Sequence, residues 1–310
     1  NIIQRRLDRV PSADQPLLKL AAVAGRQLDS KLLKRLTSQS VEEWLLTCAD
    51  AAVLDVHEGT WRFAHDKLRE TLLASLDDEQ VPQLHRQVAE ALEAEYPDND
   101  DYALILSEHW YAVGDVERTA PYAQKVISNA MMLSNWMNGA AMADRMLALI
   151  EKSPSENADL HRMRLLYTKA ETARQTGDYD TAHALLPQVQ ELAERLNDDD
   201  VLAEVYTSYG DIAGRLSDHE SAITYIERGL AIHRKAGNTH GIAESINELG
   251  VVAWGRGQFH VAGSHFEAAL ALFNTLDDQE RIAALLGNVA AVNTMQGHVA
   301  VPYSHPTAPT

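Results

Sequence analysis

The residues placed best for chemistry are His65 and Asp66, in the segment FAHDKLRETL (63–72). An alternating segment, VLDVHEGTWRF, precedes them and an amphipathic helix follows, so the pair stands at a helix start. An imidazole there can donate a hydrogen bond to a phosphate, which the helix dipole also favours. In the plainer alternative, Asp66 only caps the helix and His65 satisfies a buried carbonyl group.

Other catalytic patterns are missing from the sequence. It has no G-x-x-x-x-G-K-[ST] phosphate loop, and AVAGRQLD lacks the lysine and the second glycine of such a loop. There is no His-Glu-x-x-His zinc motif among the thirteen histidines and no Gly-x-Ser-x-Gly elbow. The lone cysteine, Cys48, lies in an apolar run, which favours a buried structural thiol over a reactive one. We therefore expect no catalytic residue, no metal and no cofactor in this chain.

The formal net charge of -18 limits the classes of partner. Residues 1–98 carry 12 basic against 17 acidic side chains, and the remainder carries 15 against 28. Because phosphate contacts need clustered Lys and Arg, we expect neither nucleic acid nor anionic membrane as a partner. The single cysteine and the lack of a signal peptide predict a reducing cytoplasm. A first residue other than Met predicts a fragment of a longer protein.

The first third of the chain predicts a small domain of helices with one β-hairpin. QPLLKLAAVAG (15–25) is an apolar helix ended by glycine, and LDSKLLKRL is a second helix with Asp29 or Ser30 as its cap. SVEEWLLTCADAAVL is a third helix, with Ser40 and Glu43 as a capping box. The alternation around Gly59 predicts the hairpin. This order predicts a winged-helix-like domain, with connecting helices, over residues 1–98; its third helix carries three acids and no base, so DNA binding is not expected.

The remainder repeats itself every 40 residues. Three sets of small residues recur at this spacing, and each set keeps a fixed offset from the first. They are Ala170, Gly210, Gly250 and Ala290; then Gly177, Ser217, Gly257 and Gly297; then Ala182, Ala222, Ala262 and, shifted, Ala300 with Pro302 in the matching place. Such regularity predicts one supersecondary unit stacked several times.

Each unit reads as two helices joined by a turn. Five apolar residues of VLAEVYTSYGDIAGRL fall on one helical face: Leu202, Val205, Tyr209, Ile212 and Leu216. The turn SDHE then leads into a second helix, and the small residues let the two helix axes approach closely. One apolar face of each pair stays uncovered, so the pairs must stack. The fold class predicted is all-α, with the winged-helix-like head followed by an α-solenoid.

This pattern resembles the tetratricopeptide repeat family, most clearly in ELGVVAWGRGQFHVAGSHFEAAL (248–270). The resemblance assigns residues 99–310 to a repeat array, with the clearest repeats at 162–200, 202–240 and 242–280 and a partial one at 282–300. A weaker helix pair is predicted around Gly114-Asp115, and a following helix is predicted in 135–151. The tail VPYSHPTAPT is rich in proline and unlike a second helix.

The resemblance also implies a binding groove. Tetratricopeptide arrays line their concave side with the first helix of each repeat, and the matching positions hold mixed charges and two aromatic residues. These positions are Arg164, Tyr167, Glu171, Arg174, Glu204, Thr207, Asp211, Glu244, Asn247 and Trp254. The Lys/Asn clamp that family members use for a terminal carboxylate is absent. A protein, a peptide or a small inducer is the expected ligand.

The order of the whole chain resembles the end of signal-transducing ATPases with numerous domains, the STAND class. In that class a His-Asp pair after the hairpin senses ADP, and His65 and Asp66 match it, although Phe63 and Ala64 stand where Met would. The resemblance implies an upstream ATPase domain as a partner within the same polypeptide, and ADP or ATP as a ligand only with that missing domain.

The leading hypothesis is thus a non-enzymatic sensor and scaffold region of a STAND-type regulator. The alternative is a free-standing tetratricopeptide adaptor without any nucleotide-linked role. A third hypothesis is an enzyme whose site assembles between the head and the array.

Overall fold

The computed structural model describes residues 2–296 of the chain. It is mostly helical, as predicted, and divides into two compact units, here called unit 1 (up to Arg162) and unit 2 (from Met163). The predicted positions Gly297, Ala300 and Pro302 and the tail VPYSHPTAPT lie outside the described residues.

Unit 1 begins with helices and three short strands. In chain order they are α1 Ile2–Leu7, α2 Gln15–Ala24, β1 Gln27–Leu28, α3 Ser30–Leu36, α4 Val41–Asp50, β2 Leu54–His57, β3 Thr60–Phe63, α5 Asp66–Ala74 and α6 Gln80–Glu95. A 3₁₀ helix and three longer helices follow: Asp100–Tyr102, α7 Ala103–Val113, α8 Val116–Met132 and α9 Trp136–Lys152.

The helix ends of unit 1 follow the capping residues in the sequence. The backbone of Gly25 closes α2 by donating to the carbonyl oxygen of Ala21. Asp29, rather than Ser30, caps α3, because its carboxylate accepts from the backbone N–H of Lys31. The hydroxyl of Ser40 caps α4. Each bond satisfies a group that the helix itself leaves without a partner.

The predicted hairpin is present and forms part of a three-stranded antiparallel sheet in the order β1-β3-β2. Its turn holds Glu58 and Gly59 at positive φ (51° and 78°), which is the backbone of a type I′ turn and suits the twist of the two strands. Strand β1 is not predicted from the sequence. It has only two residues, Gln27 and Leu28, too few for an alternating pattern.

The core of the head holds the only cysteine. Cys48 is fully buried beside Trp44 and Phe63, and burial raises the pKa of its thiol to about 12. The burial predicted for Cys48 is confirmed, and the raised pKa disfavours thiolate, which is the reactive form. Trp44 also satisfies its indole N–H, which donates to the carbonyl oxygen of Asp14 at 3.2 Å.

Unit 2 consists of consecutive antiparallel helices. They are α10 Ala158–Thr176, which crosses the boundary between the units, α11 Tyr179–Leu196, α12 Asp199–Arg215, α13 His219–Ala236, α14 Thr239–Gly255, α15 Phe259–Leu276 and α16 Gln279–Met295. Each helix from α11 to α15 packs against its successor. Among the described residues from Met163 onward there is no strand.

The 40-residue period is visible in the backbone of unit 2. The turns inside the helix pairs carry positive φ at Gly177, Ser217 and Gly257, as predicted. A second set, not predicted, ends the second helix of each pair with positive φ at Asn197, Gly237 and Asp277. Side chains at fixed positions cap the helices that follow, and they belong to Asp178, Asp198, Asp218, Asn238 and Asp278. The backbone conformation therefore repeats every 40 residues, as the small residues do.

Two of the small residues that recur every 40 positions are glycines, and they let the paired helices pack closely. A Cβ atom on Gly210 would lie 2.7 Å from Cγ1 of Ile226, and one on Gly250 would lie 2.6 Å from Cε1 of Phe266. Both partners are buried, so the close approach that the sequence predicts for these pairs is confirmed. The prediction is wrong for one residue of the apolar face. Leu216 is 61% exposed, because α12 ends at Arg215 and Leu216 follows the last helical residue.

We expect Gly250→Ala to lower the free energy of unfolding by up to about 2 kcal/mol. Overpacking against the buried Phe266 costs about 1–3 kcal/mol, and the better helix propensity of alanine returns up to about 1 kcal/mol. Gly287→Ala is the matched control, since nothing lies within 4 Å of its added Cβ atom. Urea unfolding should show the control to be equal to or more stable than the parent. Equal gains for both variants would contradict the close helix approach.

The boundary between head and array stays a prediction. The structure divides near residue 162, whereas the sequence places the array from 99 onward. The helix pair predicted around Gly114-Asp115 is present as α7 and α8, with Asp115 capping α8, and α9 follows as predicted. These helices do not by themselves assign 99–162 to the repeats.

Candidate functional site

A cavity of about 470 Å³ opens in unit 2, and most of its lining is polar or charged. It is here called the polar cavity. Seven of the ten predicted groove residues line it: Tyr167, Glu171, Arg174, Glu204, Thr207, Asp211 and Glu244. They come from α10, α12 and α14, the first helices of three successive pairs. Residues 40 apart occupy equivalent places on these helices, as Glu171 and Asp211 do, so the repeat itself brings them together.

An ion-pair network ties α10 to α12 on one side of the polar cavity. The guanidinium of Arg174 contacts the carboxylates of Glu171 and Asp211. Asp211 also accepts from Nε of Arg215 at 2.9 Å. The side chains of Arg174 and Asp211 are only 16% and 19% exposed, so solvent screens this pair less than it screens surface pairs.

A second pair lies on the other side of the polar cavity. Nε of Arg281, on α16, is 2.8 Å from the carboxylate of Glu244, on α14. One turn further along α14, Glu248 is half-buried and stands outside these ion pairs of the described residues. Burial, followed by the negative charges of Asp211 and Glu244, raises the pKa of Glu248 to about 7. The cavity therefore holds a carboxyl group that titrates near neutral pH.

Tyr167 supplies the aromatic side of the polar cavity. Burial raises the pKa of its phenol, as do the nearby negative charges of Glu204 and Glu171. The hydroxyl forms hydrogen bonds with Ser208 and with the carboxyl group of Glu204, both on α12. The phenol therefore stays neutral and can donate or accept a hydrogen bond.

Three predicted groove residues lie elsewhere. Arg164 is exposed and does not line the polar cavity. Asn247 is within 3.5 Å of Asn288 on α16, which donates to it. Trp254 lies in a separate pocket of about 320 Å³, here called the apolar pocket, with Val251, Phe266, Asn288 and Ala291. The binding role of all ten residues stays a prediction.

Residues 161–235 match the family model of the tetratricopeptide repeat. This part of the chain carries repeats of that type. The match covers the repeat predicted at 162–200 and most of the one at 202–240, and it includes six of the seven predicted residues in the polar cavity. A search of curated proteins found no match.

Two solved structures are similar in fold. One is a signal transduction ATPase with numerous domains (STAND) that carries a tetratricopeptide repeat sensor, from Pyrococcus horikoshii; the TM-score is 0.51 at 12% identity, over 93% of this chain and 48% of that one. The other is a Rap protein in complex with competence and sporulation factor, with a TM-score of 0.52 at 14% identity, over 74% of this chain and 70% of that one. The chain thus spans about half the length of the STAND structure. At these identities the likeness shows the fold alone.

The tetratricopeptide pattern missed several residues that line the polar cavity. Glu248 and Ser208 each lie one helical turn after a predicted residue, at i+4 from Glu244 and Glu204. That spacing could have identified them. This spacing does not identify Arg281, because it lies on α16 and the predicted groove positions belong to α10, α12 and α14.

The structure places His65 and Asp66 in unit 1, at the start of α5. His65 is the N-cap residue, with extended backbone (φ −151°, ψ 135°) and an exposed side chain that makes no capping bond. Asp66 is the first helical residue and pairs with Nε of Arg26 at 3.0 Å. The plainer hypothesis for His65 is therefore wrong: an exposed ring does not serve a buried carbonyl.

Two negative findings concern the described part of the chain. Within residues 2–296, no group of three or more His, Cys, Asp or Glu side chains is arranged to hold a metal ion. In the same range no helix combines the length and the apolar character needed to cross a membrane.

Proposed function

We propose that unit 2 is a binding module whose polar cavity takes a protein or peptide ligand. The observation that carries this proposal is the convergence of seven predicted groove positions, from three first helices, on one cavity. Tetratricopeptide repeats are interaction scaffolds, and extended concave surfaces are what stacked repeats offer to partners. The Rap protein with a similar fold is itself a complex with competence and sporulation factor.

The lining suits binding better than catalysis. Paired guanidinium and carboxylate groups hold the helices in place, while Tyr167, Glu204 and Glu248 offer hydrogen-bonding groups to a ligand. A few polar groups inside a concave site fix the orientation of what binds there. No enzyme family is indicated by the matches to known proteins.

We expect Glu204→Trp to abolish ligand retention, because the indole fills the polar cavity. Arg164→Trp is the matched control: it occupies the equivalent position one repeat earlier, on the exposed part of α10. Each purified variant is immobilised and exposed to a pool of random hexapeptides, and retained peptides are counted by mass spectrometry. Equal retention by both variants would place the binding surface elsewhere. Circular dichroism confirms that both variants are folded.

We also propose a nucleotide-linked role for the head, in a longer polypeptide that carries an ATPase domain. In this proposal residues 1–98 form a winged-helix-like domain that couples the ATPase to the repeats. Two observations support it: His65 presents its ring to solvent at a helix start where Arg26 pairs with the adjoining Asp66, and the chain is similar in fold to part of a STAND structure. Both side chains can contact a phosphate.

The test is ADP retention by the full-length protein. His65→Ala should release ADP faster, whereas Lys67→Ala, an exposed change two residues along that breaks only the contact with Glu70, should not. Equal ADP retention by all three proteins would remove the sensor role. The free-standing adaptor would then be the better description of the chain.

A further inference from the structure

We infer that the concave surface of unit 2 selects a peptide segment with a Lys or Arg side chain about three residues from an apolar side chain. This inference rests on the proposed function and names the ligand class of the same surface. It follows from three features: the net charge of the polar cavity, the ion pairs that already occupy some of its charged groups, and the apolar pocket next to it.

The polar cavity has an excess of negative charge. Five carboxyl groups line it, against three guanidinium groups and the rings of His233 and His240. Burial lowers the pKa of His233, which favours its neutral form. The guanidinium groups belong to Arg174, Arg215 and Arg281, and each contacts a carboxylate of the same lining. Because these cations are already paired, an anionic ligand would meet net repulsion, and a cationic group would find two carboxyl groups that no cation of the described residues pairs with.

The acceptors are Glu204 and Glu248. They lie on α12 and α14, outside the ion pairs of the described residues. Glu204 is exposed within the cavity, and Glu248 is half-buried. A carboxylate that is partly desolvated and lies close to two other acids is destabilised by the loss of water and by charge repulsion. An incoming cation offsets both effects, so such a carboxylate is stabilised most by binding it.

The apolar pocket continues the same surface along α14. Val251 is 46% exposed, and the ring of Trp254 stands edge-on to Phe259, with 5.0 Å between the ring centroids. From Glu248 to Trp254 the helix rises roughly 9 Å. An extended peptide covers that distance in about three residues, at roughly 3.3 Å each. A basic and an apolar side chain at this spacing reach both sites together.

The pH dependence of binding gives an independent signature. The charged groups that act on Glu248 are Asp211 and Arg215 on α12, Arg174 on α10 and Glu244 on its own helix. Arg281 on α16 also lines the cavity and pairs with Glu244. A bound cation stabilises the charged form of Glu248, whose pKa is about 7, so binding at pH 7 releases protons. Calorimetry in two buffers of different ionisation enthalpy measures that release.

The test is a selection from a pool of N-acetylated hexapeptide amides on the immobilised full chain. Blocked termini ensure that only side chains carry charge. We expect the retained peptides to be enriched at least roughly tenfold in Lys or Arg three positions from an apolar residue. The double variant Glu204→Gln/Glu248→Gln should lose the preference for Lys and Arg but keep the apolar one. Trp254→Ala should show the reverse, and Glu227→Gln, an exposed change on α13, should change neither.

Each outcome decides a different point. Retention of peptides rich in Asp or Glu would overturn the inference and leave the proposed function standing. The same would follow from a Lys or Arg preference that survives the double variant. If no peptide is retained above the level of a blank resin, the proposed function fails and the inference fails with it.

Discussion

Glu248→Gln is expected to stabilise the protein at pH 8 by up to about 3 kcal/mol. The pKa of Glu248 is raised from 4.5 to about 7, chiefly by burial, and each pKa unit corresponds to about 1.4 kcal/mol. Between pH 4.5 and 7 the folded state keeps a proton that the unfolded chain has released. The free energy of unfolding therefore falls as the pH rises through this window. A glutamine of the same shape carries no charge and removes the loss.

Urea unfolding followed by circular dichroism, from pH 4.5 to pH 8, measures this effect. The parent and Glu248→Gln should be equally stable at pH 4.5 and diverge as the pH rises. Glu227→Gln is the control, since this exposed side chain on α13 lies outside the polar cavity, and its curve should follow that of the parent. If the free energies of unfolding of Glu248→Gln and the parent change with pH in parallel, the pKa of Glu248 is not raised in the folded protein.

The second large effect concerns a pair of histidines in unit 1. Nδ1 of His85, on α6, lies 2.9 Å from Nδ1 of His109, on α7, so one ring must donate and the other accept. His109 is only 4% exposed. Burial, then the charges of His85 and Arg69, lower its pKa from 6.5 to about 4. Burial, then Arg69, also lower the pKa of His85.

His109→Asn should remove a loss of stability at acid pH. Between pH 6.5 and 4, His109 is protonated in the unfolded chain but not in the folded one. The free energy of unfolding is therefore highest above pH 6.5 and falls as the pH drops below it. Over that window the loss reaches about 3 kcal/mol. Asparagine can still bond to His85 but does not titrate.

The measurement compares urea unfolding of unit 1 at pH 7.5 and pH 5. The parent should lose about 2 kcal/mol more than His109→Asn between these values. His57→Asn, on the exposed end of β2, controls for the removal of any histidine and should behave as the parent does. Equal losses in the parent and His109→Asn would mean that this pair is as easily protonated in the fold as in water.

Local chemistry made much of the fold predictable. Caps such as Ser40, the turn at Gly59 and the small residues Gly210 and Gly250 act through neighbours in sequence or through one paired helix. A single sequence records such effects directly. Strand β1 could not be predicted, because two residues become a strand only when β3 lies beside them.

The candidate site likewise has residues that the sequence predicts and residues that it does not. Positions that repeat every 40 residues, such as Glu171 and Asp211, were predicted and line the polar cavity. Trp254 was predicted in the same groove but lies in the apolar pocket, whose other walls come from α15 and α16. The sequence of α14 alone does not show where those two helices pack. The pairing of His85 with His109 likewise depends on how α6 meets α7, and neither sequence segment carries a signal for it.

Backbone amide hydrogen exchange, with and without the most strongly retained hexapeptide, tests most directly whether the polar cavity is the binding site. We expect slower exchange in α12 and α14, the first helices that carry Glu204 and Glu248, and unchanged exchange in α11 and α13. Glu204→Trp should lose this protection, whereas Arg164→Trp should keep it. Protection confined to unit 1 or to the second helices of unit 2 would contradict a ligand site in the polar cavity.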